Sequence, residues 1–280
     1  MNTAIFVSFG GNVIRFSAEH PALLAPLAVH LRHCQSQTTA SPLSAFHLTA
    51  ISETWVQISE NGSVLLPRLE RESAWQILMQ ESLTRLNGAC TLGPVFHAAA
   101  VQGEQGGVIL CGPSGCGKST LTAWLVLHGF CYLSDEVILY TGEGYISGFA
   151  RSLVLKNGSA FILKCLTENI QREGHQRFSD GSLWLAPLLL QSIAPCVQTL
   201  PRLLLFPQYQ PDAPLRVRPL SSAESLFRLL QNLVNARNLA HNGLEAAARL
   251  AHQTKAYAVV YSDLNAITAW IRQTINKPIA

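Results

Sequence analysis

Hydrophobic residues recur along this chain in two rhythms, and the change of rhythm divides it. Ala4 to Phe9 and Val13 to Phe16 are short apolar runs around Gly10-Gly11-Asn12, the pattern of a β-hairpin. Leu23, Leu24, Leu27 and Leu31 give Pro21 to His33 helical spacing, and Gln35 to Leu43 is polar and turn-like. Phe46 to Ile58 alternates weakly, and Asn61-Gly62 predicts another hairpin turn before Val64-Leu65-Leu66. Glu70 to Asn87, carrying Ala74, Ile77, Leu78, Leu83 and Leu86, predicts an amphipathic helix that ends at Gly88. Residues 1–88 therefore read as an α+β module with no chemical constellation, suited to packing or to presenting a substrate.

Beyond it the apolar runs shorten and cluster. Phe96 to Val101 and Gly107 to Cys111 predict strands around the turn 103–107, and Leu121, Trp124, Leu125 and Leu127 predict a helix stopped by Gly129. Phe130 to Leu133, Val137 to Tyr140, Tyr145 to Phe149 and Leu153 to Lys156 follow as strands. Gln171 to Ser182 is a polar loop, either a lid or substrate-contact segment or an ordinary solvated one. Leu203 to Phe206 is a buried strand, Ser221 to Gly243 is largely helical, and Leu244 to Thr254 is a helix. Tyr257 to Tyr261 and Leu264 to Ile275 complete the pattern as strand and helix. Helices scarcely appear between Asp135 and Leu166, which excludes a doubly wound sheet. The expectation for residues 89–280 is an α/β domain with a mixed sheet.

Composition narrows the class. Of 280 residues 48% are hydrophobic and 13% charged, with a net charge of +3, the profile of a compact globular protein. The 20 basic residues form no run, which argues against a nucleic-acid partner. Ser182 to Pro201 is uncharged, but Pro187, Pro195, Pro201 and four polar residues break it well short of the roughly 20 predominantly apolar residues of a membrane span. Met1 to Arg15 lacks the features of a secretory leader. Seven cysteines with no C-x-x-C pair fit free thiols in a reducing cytoplasm.

The chemistry concentrates at Gly112-Pro113-Ser114-Gly115-Cys116-Gly117-Lys118-Ser119-Thr120, which matches G-x-x-x-x-G-K-[ST] between a predicted strand and a predicted helix. Such a loop turns consecutive backbone N–H groups onto phosphate oxygens at a helix N-terminus. Lys118 would then reach the β- and γ-phosphates of a nucleoside triphosphate, and the Ser119 hydroxyl would ligate magnesium. Asp135 and Glu136 follow a predicted strand, 17 and 18 residues after Lys118, where metal and nucleophile are handled beside such a loop. Asp135 can equally be read as a helix cap or turn residue. His97, alone on an apolar strand, reads as a core histidine.

Taken together, His97, the loop and Leu133-Ser134-Asp135-Glu136 resemble the bacterial HPr kinase family and its HPr-kinase-like relatives. The spacing is 15 residues from His97 to Gly112, and 16 and 17 from Ser119 to the two acids. Phe149 to Asn157, Leu205 to Tyr209 and Ala256 to Tyr261 also look like segments of that group, so the resemblance spans about 90–275. It implies a phosphate-loop core akin to phosphoenolpyruvate carboxykinase, the use of ATP and Mg2+, and phosphate transfer to a serine hydroxyl of a protein or peptide. By the same resemblance Glu136 stands where the family has its aspartate base, with Asp135 as the alternative base. Ser119 and an acid of that pair would hold the metal, and His97 and Arg237 match an active-site histidine and arginine. Thr120 stands where HPr kinases proper carry an acid, which points away from a bifunctional kinase and phosphorylase acting on HPr. A small-molecule kinase on this fold and a non-catalytic nucleotide sensor are the rival readings, and a homo-oligomer is left open.

Overall fold

The computed structural model describes residues 3–37, 40–156, 159, 162, 174–191 and 194–276. It comprises two compact units, Met1–Cys90 and Thr91–Ala280. In the first, strands β1 (Thr3–Phe9), β2 (Asn12–Ala18), β3 (Ser44–Ala50), β4 (Trp55–Glu60) and β5 (Ser63–Glu70) form one sheet in that order. Helix α1 (Pro21–His30) connects the parallel pair β2 and β3, and α2 (Arg71–Gly88) follows β5. Phe16 and Phe46 stack at 5.5 Å between ring centroids in the core of this unit. The weakly alternating run 46–58 is two antiparallel strands. It breaks at Ser52, whose Oγ accepts from the N–H groups of Thr54 and Trp55.

The second unit is built on β6 (Val95–Gly103), β7 (Gly106–Cys111), α3 (Lys118–Leu127), β8 (Cys131–Ser134), β9 (Val137–Tyr140), β10 (Ile146–Gly148) and β11 (Leu153–Leu155). It continues with β12 (His175–Arg177), β13 (Leu183–Leu185), α4 (Pro187–Leu190), β14 (Gln198–Thr199), β15 (Pro201–Tyr209) and β16 (Arg216–Pro219). The last elements are α5 (Ser222–Leu230), α6 (Leu244–Gln253), β17 (Lys255–Tyr261) and α7 (Leu264–Ile275). Nine strands form a mixed sheet in the order β14-β10-β9-β6-β7-β15-β17-β16, with β8 paired to β6. Strands β11, β13 and β12 form a separate antiparallel sheet. The fold is thus mixed α/β.

Alternation along the central strands explains the layering, because successive side chains leave a strand on opposite faces. Val108 and Leu110 of β7 join Leu203 and Leu205 of β15 in a core closed by α3, α7 and the small sheet. Ile109 and Cys111 join Leu204 and Phe206 in a second core closed by α5 and α6. Both faces are buried, so these strands read as continuous apolar runs.

Two sequence expectations change, and a third is given detail. The polar stretch 171–182 is not wholly loop: residues 171–173 lie outside the described residues, and 175–177 form β12. The helix expected over 221–243 ends at Leu230, after which the chain pairs with β6 through His97 N to Asn232 O and Val234 N to Val95 O. The uncharged stretch 182–201 holds β13, α4 and β14, and among the described residues no helix is long and apolar enough to cross a membrane.

Candidate functional site

Topology gathers the chemistry at one edge of the large sheet. Strands β7, β15 and β17 are parallel, so their C-terminal ends lie together where the phosphate loop leaves Cys111. Strands β8 and β9 lie end to end along the other side of β6, and Asp135-Glu136 is the interruption between them. Ser134, opposite Ala100, and Val137, opposite His97, bracket the two acids, while Ala98 pairs with Cys111, the last residue of β7. An interruption of this kind re-aims side chains next to functional sites. The acids therefore sit within a kinked strand rather than past its end, level with the start of the loop.

The loop itself is held from beneath. Tyr209 N donates to Cys116 O at 3.0 Å, and the Tyr261 hydroxyl lies 3.4 Å from Gly117 O. Gly115 and Gly117 have φ of +85° and +97°, a region that side-chain-bearing residues rarely adopt. Lys118 begins α3 and is buried, with Nζ donating to Gly112 O at 2.6 Å and Pro113 O at 3.0 Å. An ammonium ion thus spans the loop. The half-buried Ser119 hydroxyl makes no hydrogen bond to a described residue, so it is available as a ligand.

Beside the loop, two acids share one guanidinium. Arg151 Nη2 is 2.9 Å from Glu136 Oε2 and 3.7 Å from Asp135 Oδ1, and His97 Nδ1 is 3.3 Å from Glu136 Oε1. Asp135 is buried, with Oδ2 accepting from Val154 N at 3.0 Å and Oδ1 lying 3.2 Å from the Tyr132 hydroxyl. Burial raises its pKa, with Arg151 opposing. Burial also pushes Glu136 up, but the hydrogen bond from His97 and the charge of Arg151 outweigh it and hold this carboxyl down to about 2. Glu136 keeps 29% of its side chain exposed against 1% for Asp135, so Glu136 is the acid that an incoming group can touch.

The structure thus brings His97, Asp135 and Glu136 together at the loop edge. Arg237 lies exposed in a single turn, Ala236–Asn238, and makes no ion pair or hydrogen bond with a described residue. Arg151 occupies the place beside the acids. It stood unassigned in the segment 149–157, and its position 15 residues beyond Glu136 carries no local pattern that signals a role. The residues present fit magnesium triphosphate: a glycine loop crossed by an ammonium, a free serine hydroxyl, and a half-exposed carboxylate. No group of three or more His, Cys, Asp or Glu among the described residues is arranged to cage a metal. Magnesium in such sites takes only one or two protein ligands besides phosphate and water.

No family model and no curated protein matches the chain. Among solved structures, the Hpr(Ser) kinase/phosphatase from Coxiella burnetii is similar at 15% identity and a TM-score of 0.32, over 64% of this chain and 88% of that one. A likeness at that score carries no argument about chemistry.

Proposed function

We propose that residues 89–280 form an ATP-dependent kinase of the HPr-kinase-like type, with a core akin to phosphoenolpyruvate carboxykinase. It would phosphorylate a serine or similar hydroxyl of a protein or peptide. The observation that carries this reading is the meeting of the Gly112–Thr120 loop with the His97–Glu136–Arg151 cluster at one sheet edge. ATP with Mg2+ would supply the phosphoryl group and leave as ADP. Lys118 would neutralise the β- and γ-phosphates, and Ser119 and Glu136 would hold the metal. Glu136 would accept the proton of the acceptor hydroxyl, while His97 and Arg151 fix its orientation. A carboxyl held at about 2 is a weak base, but phosphoryl transfer proceeds through a loose transition state that asks chiefly for positioning and charge neutralisation. Asp135, sealed from solvent, would fix the geometry of Arg151 instead of touching substrate.

The test is incubation of the full chain with γ-labelled ATP, magnesium, serine-containing peptides and small alcohols. Label is expected on peptide serine, to be lost on magnesium chelation and in Lys118→Ala. Label confined to the small alcohols would establish the rival small-molecule kinase, and undiminished transfer by Lys118→Ala would overturn the site.

A further inference from the structure

A second lysine reaches the phosphate loop. Lys156 follows β11 directly, and its Nζ lies 3.4 Å from Ser114 Oγ, at the exposed crown of the loop. Its segment is anchored at points on either side. Val154 N donates to the buried carboxylate of Asp135, and Ser159 Oγ lies 2.6 Å from Thr120 Oγ1 in the first turn of α3. Leu153 and Leu155, on one face of β11, are buried in the core that α3 closes, so the strand leading to Lys156 is held by packing as well as by hydrogen bonds. Lys156 forms no ion pair with a carboxylate among the described residues. An exposed cation with no counter-ion among the described residues, carried by a pinned strand to an anion-binding loop, is a preorganised electrostatic element.

Which phosphate it would meet follows from the loop's own polarity. The ammonium of Lys118, the group that reaches the β- and γ-phosphates, lies at Gly112 O and Pro113 O. Ser114 is the next residue, so Lys156 stands at that same end of the cradle. We propose that Lys156 contacts the terminal phosphate and makes the site selective for a nucleoside triphosphate over a diphosphate, acting in cis as an arginine finger acts in related chemistry. This inference rests on the nucleotide-binding reading above. It also gives Asp135 a purpose beyond Arg151, since that carboxylate sets the register of the strand that delivers Lys156.

Calorimetry of the full chain with ATP and with ADP, each with magnesium, tests it in wild type, Lys156→Ala and Lys156→Arg. Lys156→Ala should weaken ATP by about tenfold or more, the worth of one charge-assisted hydrogen bond, and leave ADP within about twofold. Lys156→Arg should restore most of the ATP affinity. Equal weakening of ATP and ADP would make Lys156 a structural prop of the loop, and no change in either would make it a bystander; both overturn the proposal. Wild type that binds neither nucleotide would instead remove the nucleotide-binding reading on which it stands.

Discussion

Asp135 and Glu136 are adjacent in sequence and opposite in environment, and substitution should separate their roles. Asp135→Ala leaves the Val154 N–H without its acceptor and removes one of the two carboxylates around buried Arg151, an expected cost of about 3 kcal/mol in urea unfolding. Asp135→Asn keeps an acceptor for Val154 and should cost less. Glu136→Gln should act on turnover as well, lowering kcat by about a hundredfold, the low end of the cost of a lost proton acceptor, because a carboxyl held near 2 is a weak base. An unchanged kcat in Glu136→Gln would refute the division. Glu136 also carries a pH signature. Its folded pKa lies near 2, below the ordinary 4.5, so its stabilisation is full above 4.5 and is lost as pH falls through about 2. The stability difference between wild type and Glu136→Gln should therefore narrow as pH falls from 4.5 to about 2 and change no further below that. Asp135 works in the opposite sense, because its raised pKa means that protonation relieves a buried charge.

At the scale of elements, the β7–loop–α3 unit depends on how close its supports come. A Cβ on Gly117 would lie 2.6 Å from the Tyr261 hydroxyl and 3.1 Å from Tyr209 Cβ, whereas one on Gly115 would meet nothing within 4 Å. Gly115→Ala should thus cost only the backbone term, about 1 kcal/mol for the left-handed region, with ATP still bound. Gly117→Ala must also push the loop off the ends of β15 and β17. It should lose at least about tenfold in ATP affinity by calorimetry and roughly 2 kcal/mol in stability, from strain plus overpacking. Similar costs for the two variants would refute the close-packed floor. This unit was legible in the sequence because its signals are local: an apolar run, glycines at fixed offsets and helical spacing. Arg151 was not, since it faces its acids only once β8, β9 and the stretch to β11 have folded back on one another. The end of α5 was hidden for the same reason. Asn235 bonds Val95 N at 2.8 Å and Gly93 O at 2.9 Å across about 140 residues of chain, and no window of sequence records that closure.

For the whole molecule, the apolar runs foretold where the cores lie but not how β6 divides its pairing. Val108 to Cys111 and Leu203 to Phe206 read as buried on both faces, and their alternate residues do enter two different cores. That β6 pairs with β9 along its first residues and with β8 along its last depends on the interruption at Asp135-Glu136, which sequence shows only as two acids after an apolar run. Stability should be distributed accordingly. Amides of β7 and β15, flanked by paired strands and covered on both faces, can exchange with solvent only when the sheet opens as a whole. In β5, an edge strand with Val64 56% and Leu65 40% exposed, amides directed away from β4 need no such opening. Hydrogen exchange followed by mass spectrometry should show Ile109 and Leu204 among the slowest amides of the chain and β5 exchanging orders of magnitude sooner. A β7 that exchanged as fast as β5 would mean that the strand feeding the phosphate loop opens locally. The loop would then lack the rigid base on which preorganised charge at Lys118 and Lys156 depends.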